Sequence, residues 1–157
     1  MTETEIRSVM IPITDAELLV PNASVAEVVA YDEPEPVDQG PDWMLGNVLW
    51  HGWQVPVVSF GMLCEKQERE PVEQAKLCIT KSLVHNDRLP YIALLAQGFP
   101  RLVTITESAL TEVPDRQRHI AIAGEVMVGD RQAIVPDLDR IAQLLAHAVY
   151  GALPVTR

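Results

Sequence analysis

The sequence predicts a mainly β protein built as two related halves and closed by one helix, and three observations lead there. Short runs of apolar and β-branched residues recur between turn signals along most of the chain. The segment Gly46 to Phe60, GNVLWHGWQVPVVSF, is echoed at Gly124 to Leu138, GEVMVGDRQAIVPDL. An offset of 78 positions aligns Gly46 with Gly124, Val48 with Val126, Gln54 with Gln132 and Val57 with Val135, and places Phe60 on Leu138. The third observation is a helical period confined to the end of the chain, from Asp137 onward. Duplicated β halves favour a binding scaffold over a catalytic α/β sheet.

The 157 residues suit one folding unit or two small, intimately packed ones. Hydrophobic residues make up 48% of the chain but aromatic residues only 5%, so the core must be Val, Leu, Ile and Ala, with three Trp as exceptions. A formal charge of −10 repels phosphate backbones and anionic lipid, which argues against nucleic acid or a membrane surface as the main partner. The N-terminal MTETEIRS carries glutamates and no apolar run, so no secretory signal is expected and the cytoplasm is the expected compartment. The late apolar stretch IAQLLAHAVYGAL, broken by Gln143 and His147, falls short of the roughly 20 apolar residues that a membrane span needs. Cys64 and Cys78 lack Cys-x-x-Cys spacing and read as free, inert thiols.

In chain order, Arg7 to Ile13 and Leu18 to Val20 read as strands, and Ser24 to Tyr31 as a β-branched segment holding one acid, Glu27. Asp32 to Asp42, DEPEPVDQGPD, has five acids and three prolines and is expected to be an exposed loop unable to pair along a sheet. Gly46 to Phe60 then forms a hairpin about a short His-Gly-Trp turn. Gly61 to Pro71, GMLCEKQEREP, turns densely charged and is expected to connect the halves rather than enter the core. Ala75 to Leu83, Leu89 to Gln97 and Leu102 to Ile105 are the next strands, with turns at His85 to Arg88 and Gly98 to Arg101. Asp137 is placed to cap a helix bearing Leu138, Ile141, Leu145 and Ala148 on one face, until Gly151 and Pro154 stop it. Its other side, Asp139, Arg140, Gln143 and His147, is expected to be wet. The expected division is a first subdomain over about 14–64 and a second over about 75–136, with strand 7–13 and helix 137–150 packing across both.

Catalytic machinery is not visible. The chain has no Gly-x-Ser-x-Gly elbow, phosphate-binding loop, dinucleotide fingerprint or His-Glu-x-x-His. His51, His85, His119 and His147 are dispersed without the close spacing of a zinc site. Asp115, Arg116, Arg118 and His119 make a mixed-charge loop of the kind that is mostly solvated. No enzyme activity, cofactor or metal is expected.

Val25-Ala-Glu-Val28, Pro41-Asp-Trp43, Gly46, Gly52 and Val55-Pro-Val-Val58 resemble the first half of the CheW-like adaptor family, whose members carry V-x-E-I and later G-[VI]-x-N-L-R-G-x-[IV]-[IV]-P-[IV]-[VI]-D-L. Lys76-Leu-Cys-Ile79, Leu94-Leu95, Val103 to Ile105 and the hairpin led by Gly124 resemble its second half. The narrower likeness is to the ChpC-type members of type IV pilus chemosensory systems. What the resemblance implies is two packed, five-stranded SH3-like barrels and no active site, while the apolar stripe of the closing helix reads as a cap over a barrel mouth. It implies an adaptor that joins chemoreceptor cytoplasmic tips to the regulatory domain of a histidine kinase, here in twitching motility.

The departures from the motif lie in its polar residues. The asparagine of N-L-R-G is Leu49, its arginine is His51, and the D-L pair is Ser59-Phe60. In the family the motif arginine lies near the glutamate of V-x-E-I, which places His51 near Glu27. Histidine lacks arginine's permanent bidentate fork, so a shifted partner preference is expected. The partner-binding residues implied are Val25, Glu27, Val28, Trp50, His51 and Trp53. Tryptophan is enriched in binding hot spots, yet Trp43 and Trp50 serve equally well as core, while Trp53 flanks the turn and is expected to be exposed. A competing reading, kept open by the rewritten residues, is a divergent β-barrel module that binds a small molecule or regulates another enzyme.

Overall fold

In this computed structural model the residues described are 4–65, 69–81, 89–113 and 118–150. They form β1 (Glu5–Ile13), β2 (Ala16–Pro21), β3 (Val25–Ala30), β4 (Met44–Trp50), β5 (Trp53–Val58), α1 (Phe60–Glu65), β6 (Lys76–Lys81) and β7 (Tyr91–Ala96). Next come β8 (Arg101–Thr106), β9 (Leu110–Glu112), β10 (Ile122–Val128), β11 (Arg131–Pro136) and α2 (Leu138–Tyr150). One sheet runs β8-β1-β2-β11-β10-β9 and the other β3-β6-β7-β5-β4. The molecule is therefore mainly β, with two SH3-like halves and a closing helix, and the short β9 is a sixth strand in one half.

The echo in the sequence is an echo in space. β4 and β5 begin and end 78 residues before β10 and β11, and each hairpin carries a bulge at the same place, Met44 to Gly46 and Ile122 to Gly124. Each hairpin also joins its sheet in the same way. β5 lies parallel to β7 and β11 lies parallel to β2, while the other strand pairs are antiparallel.

Sheet membership cuts across the expected division at 61–71. Ladder pairing from Ser8 with Pro21 to Ile13 with Ala16 leaves only Thr14 and Asp15 to turn, with Asp15 at φ 62°, so β2 cannot leave β1. β1 and β2 complete the sheet of β10 and β11, whereas β6 and β7 complete that of β4 and β5. The segment 14–21 therefore sits with the later hairpin and 76–96 with the earlier one.

Alternation in the central strands then builds three cores. Val9, Ile11, Leu18 and Val20 point into a core shared by both sheets, while Met10 and Leu19 point into the interior of the six-stranded one. Likewise Cys78, Ile92, Leu94 and Ala96 face the shared core and Leu77, Ile79, Ala93 and Leu95 fill the five-stranded interior. Strands with a core on each face must be apolar at consecutive positions, which explains LCI at 77–79 and IALLA at 92–96. Burial pushes the Cys78 thiol up to about 12, so it is un-ionised and inert. Neither Cys64 nor Cys78 is in a disulfide.

The helices plug the shared core. Asp137 caps α2 by accepting the Arg140 N–H on Oδ1 at 2.9 Å, and Leu138, Ile141 and Leu145 are buried there, with Arg140, Gln143 and His147 exposed. The expected charged connection after Phe60 is corrected. Its first part is α1, with Phe60 fully buried and Leu63 beside it, because the 78-residue repeat places Phe60 where Leu138 starts α2. Ser59 is its cap, its Oγ accepting the Met62 N–H at 3.3 Å and donating to the Glu70 carboxylate. Glu70 also accepts the Thr14 N–H at 3.2 Å and is 5% exposed, so a glutamate of the charged stretch ties the β1–β2 turn to α1. Gln97 N–H to Pro12 O, at 2.7 Å, adds a second tie between the sheets.

The acidic loop is largely exposed, as expected, but it does pair at one point. Pro34 is buried, and Glu35 exchanges two backbone hydrogen bonds with Asn47, at 2.8 and 2.9 Å. That approach needs glycine at position 46, where φ is +137° and a Cβ would lie 2.3 Å from the Glu35 carbonyl oxygen. The expected turn at His85 to Arg88, the end of the strand to Leu83, and the helix stop at Gly151 and Pro154 lie outside the described residues.

Two predictions test this packing. Gly46→Ala should cost about 2–4 kcal/mol and the repeat-related Gly124→Ala less than about 1 kcal/mol, since nothing lies within 4 Å of a Cβ at 124; urea denaturation of both variants measures the difference. Leu145→Ala, which opens a cavity in the shared core, should cost about 2–5 kcal/mol by the same method.

Candidate partner-docking site

β3 and β4 are the two terminal strands of the five-stranded sheet, and no ladder joins them. Side chains bridge the seam instead. Glu27 on β3 accepts the Trp50 Nε1–H on Oε1 at 3.0 Å, and the same oxygen lies 3.2 Å from His51 Nε2. The separation of His51 from Glu27 is thus that of a hydrogen-bonded pair, across 24 residues of sequence.

The β4–β5 turn is tighter than expected. His51 and Gly52 alone form it, with φ of 46° and 81°, and Trp53 is already the first residue of β5. Positive φ at both central residues matches the twist of a two-residue hairpin, and histidine is among the residues that tolerate the left-handed region. The turn holds the His51 ring beside Trp50, with ring centres 4.6 Å apart and edge to face.

Tyr91, at the start of β7, completes the cluster. Its ring meets Trp50 at 4.8 Å and Trp53 at 5.8 Å, both near edge to face. Trp50 is half-buried over the five-stranded interior, Trp53 is 45% exposed, and Trp43 is half-buried against the shared core. Glu27, Trp50, His51 and Trp53 are brought together, whereas Val25 and Val28 turn towards the shared core and do not join them. Tyr91 was readable only as part of a strand, because its place beside two tryptophans depends on the β5–β7 pairing.

The carboxyl of Glu27 is held below its ordinary value of 4.5, first by the Trp50 hydrogen bond and then by the one to His51. It is therefore ionised at neutral and mildly acidic pH, and the contact is lost only as pH falls through the lowered value. Being exposed, the pair is screened by salt and adds little to stability.

Two concavities lie elsewhere. A slot of about 150 Å³ in the six-stranded sheet is lined almost wholly by apolar groups, among them Ile6, Leu19, Ile105, Leu110 and Val135. A mixed cavity of about 570 Å³ lies between the acidic loop and the 69–73 segment, with Tyr31, Pro34, Leu45, Met62 and Glu70 in its walls. In the mixed-charge loop, Arg118 donates to the Val113 carbonyl at 2.9 Å and His119 Nδ1 accepts the Ala121 N–H at 3.0 Å; Asp115 and Arg116 lie outside the described residues. Among the described residues no three His, Cys, Asp or Glu side chains are grouped to hold a metal, and no helix is long and apolar enough to cross a membrane.

The fold has known counterparts. The structure of the scaffolding protein TtCheW from Thermoanaerobacter tengcongensis is similar, with a TM-score of 0.72 at 15% identity over 87% of each chain. No curated protein sequence matches the chain. The model of the CheW-like domain matches residues 7–146, which is most of the sequence. The chain belongs to the CheW-like domain family.

Proposed function

We propose that this protein is a non-catalytic adaptor in a bacterial chemosensory array, coupling chemoreceptor cytoplasmic tips to the regulatory domain of a histidine kinase. Membership of the CheW-like family and the likeness to a scaffolding protein support the adaptor role. The pilus-linked setting, with twitching motility as its output, rests on the narrower ChpC-type likeness of the chain.

One observation carries the reading: a single exposed carboxylate, Glu27, gathers Trp50 and His51 across an unpaired seam, with Trp53 beside them through Tyr91. Large aromatic side chains next to a charge that can be desolvated are the usual composition of a binding hot spot. The apolar slot at Ile6 and Ile105 offers a second surface, sized for an aliphatic side chain of a helical partner. A bound metabolite in the 570 Å³ cavity is the second reading, since that volume suits a small molecule.

The test is capture of the co-encoded receptor tips and kinase regulatory domain by immobilised protein. Glu27→Ala and His51→Ala should each weaken at least one of these complexes by about tenfold or more. Unchanged affinity for every such partner would remove this site assignment, and a co-purifying metabolite without capture would favour the second reading.

A further inference from the structure

The repeated halves differ along the outer edge of their hairpins. In the six-stranded sheet β9 covers that edge, with Glu112, Thr111 and Leu110 pairing with Val126, Met127 and Val128. The contact is extended by Val113 N–H to Glu125 O at 2.8 Å and Gly129 N–H to Ala109 O at 3.4 Å. By the 78-residue offset, the matching pairs in the five-stranded sheet would set Asp32 to Pro34 against Val48 to Trp50. Only the last position of the series forms, the Glu35–Asn47 bridge that corresponds to Val113 and Glu125.

β3 runs straight to Ala30, whereas the chain after β8 is swung onto β10 by a 3₁₀ turn at Glu107–Ala109. Because Asn47 exchanges both its bonds with Glu35, its backbone faces away from β5. A strand repeats every two residues, so the N–H and C=O of Leu49 face the same way, and no backbone partner meets them among the described residues. The Leu49 side chain is 70% exposed.

We infer that the outer edge of β4 at Val48 to Trp50 accepts an extended, basic segment of a protein partner as an added antiparallel strand, in the place that β9 takes in the other half. The inference deepens the adaptor reading, since it rests on this seam being the docking surface. An open strand edge recognises a partner backbone by a row of donors and acceptors, which a helix cannot satisfy. Natural proteins blunt such edges with lysine or proline, but the β4 edge residues are Val48, Leu49 and Trp50. Exposed carboxylates of Glu27, Asp32 and Glu33 belong to the chain that borders the seam, so the segment that complements them carries Lys or Arg.

The test follows amide hydrogen exchange by NMR in the full ¹⁵N-labelled chain, with a blocked Lys-Val-Thr-Val-Lys peptide as probe. Exchange at the Leu49 N–H should slow by at least about fivefold at saturating peptide, and the same peptide N-methylated on its ladder-facing residues should give no protection. Three results would overturn the inference: an unchanged Leu49 rate, equal protection by the N-methylated peptide, or protection of the protein alone that grows with its own concentration, which would make a second copy the occupant. Any of these obtained while Glu27→Ala still weakens receptor or kinase capture would sink the strand mode and leave the adaptor reading standing.

Discussion

The structure depends on one layer of side chains that two sheets share. β1, β2, β6 and β7 each carry a core on both faces, so each must be apolar at successive positions and each is committed to a central place in its sheet. The parallel contacts β5–β7 and β2–β11 follow, because a hairpin added beside such a strand buries one more face without exposing a new edge in the middle. α1 and α2 then close the shared layer from corresponding points of the repeat, Phe60 and Leu138. Buried polar links are specific: Glu70 reaches Ser59 on one side and Thr14 on the other.

Interior positions are taken by packing, so the features left at the margins are the outer edge of a hairpin and the seam between terminal strands. At that seam the described residues contribute an exposed carboxylate shared by an indole and an imidazole, with aromatic rings behind. The half that carries β9 has covered the corresponding edge. The two hairpins are thus asymmetric: β9 seals one outer edge, and among the described residues the other carries the Glu35–Asn47 bridge.

Much of this was legible in the sequence for identifiable reasons. The hairpins could be read because two-residue turns and alternating apolar positions leave short-range patterns, and the glycines at 46 and 124 mark the bulges. The closing helix was legible from its cap and stripe, and the proximity of His51 and Glu27 from the motif alone. Sheet membership was not legible. Nothing local at Leu18 to Val20 says that β2 will lie beside β11 rather than β3, since that depends on a non-local parallel contact centred on Ile134. α1 was missed because six residues are too few to display a helical period, and β9 because three residues are too few to display alternation. The loop at Asp32 to Asp42 read as solvated because charge hid the one backbone bridge that Gly46 permits.

Whether a shared core couples the halves is open to direct measurement, because all three tryptophans lie in or beside β4 and β5 while none lies in the six-stranded sheet. Urea unfolding followed by tryptophan fluorescence reports the first half, and unfolding followed by NMR signals of β1, β2, β10 and β11 reports the second. Coincident curves with one midpoint and one slope are expected. Two separated transitions, with the tryptophan signal lost while the six-stranded sheet persists, would contradict that coupling.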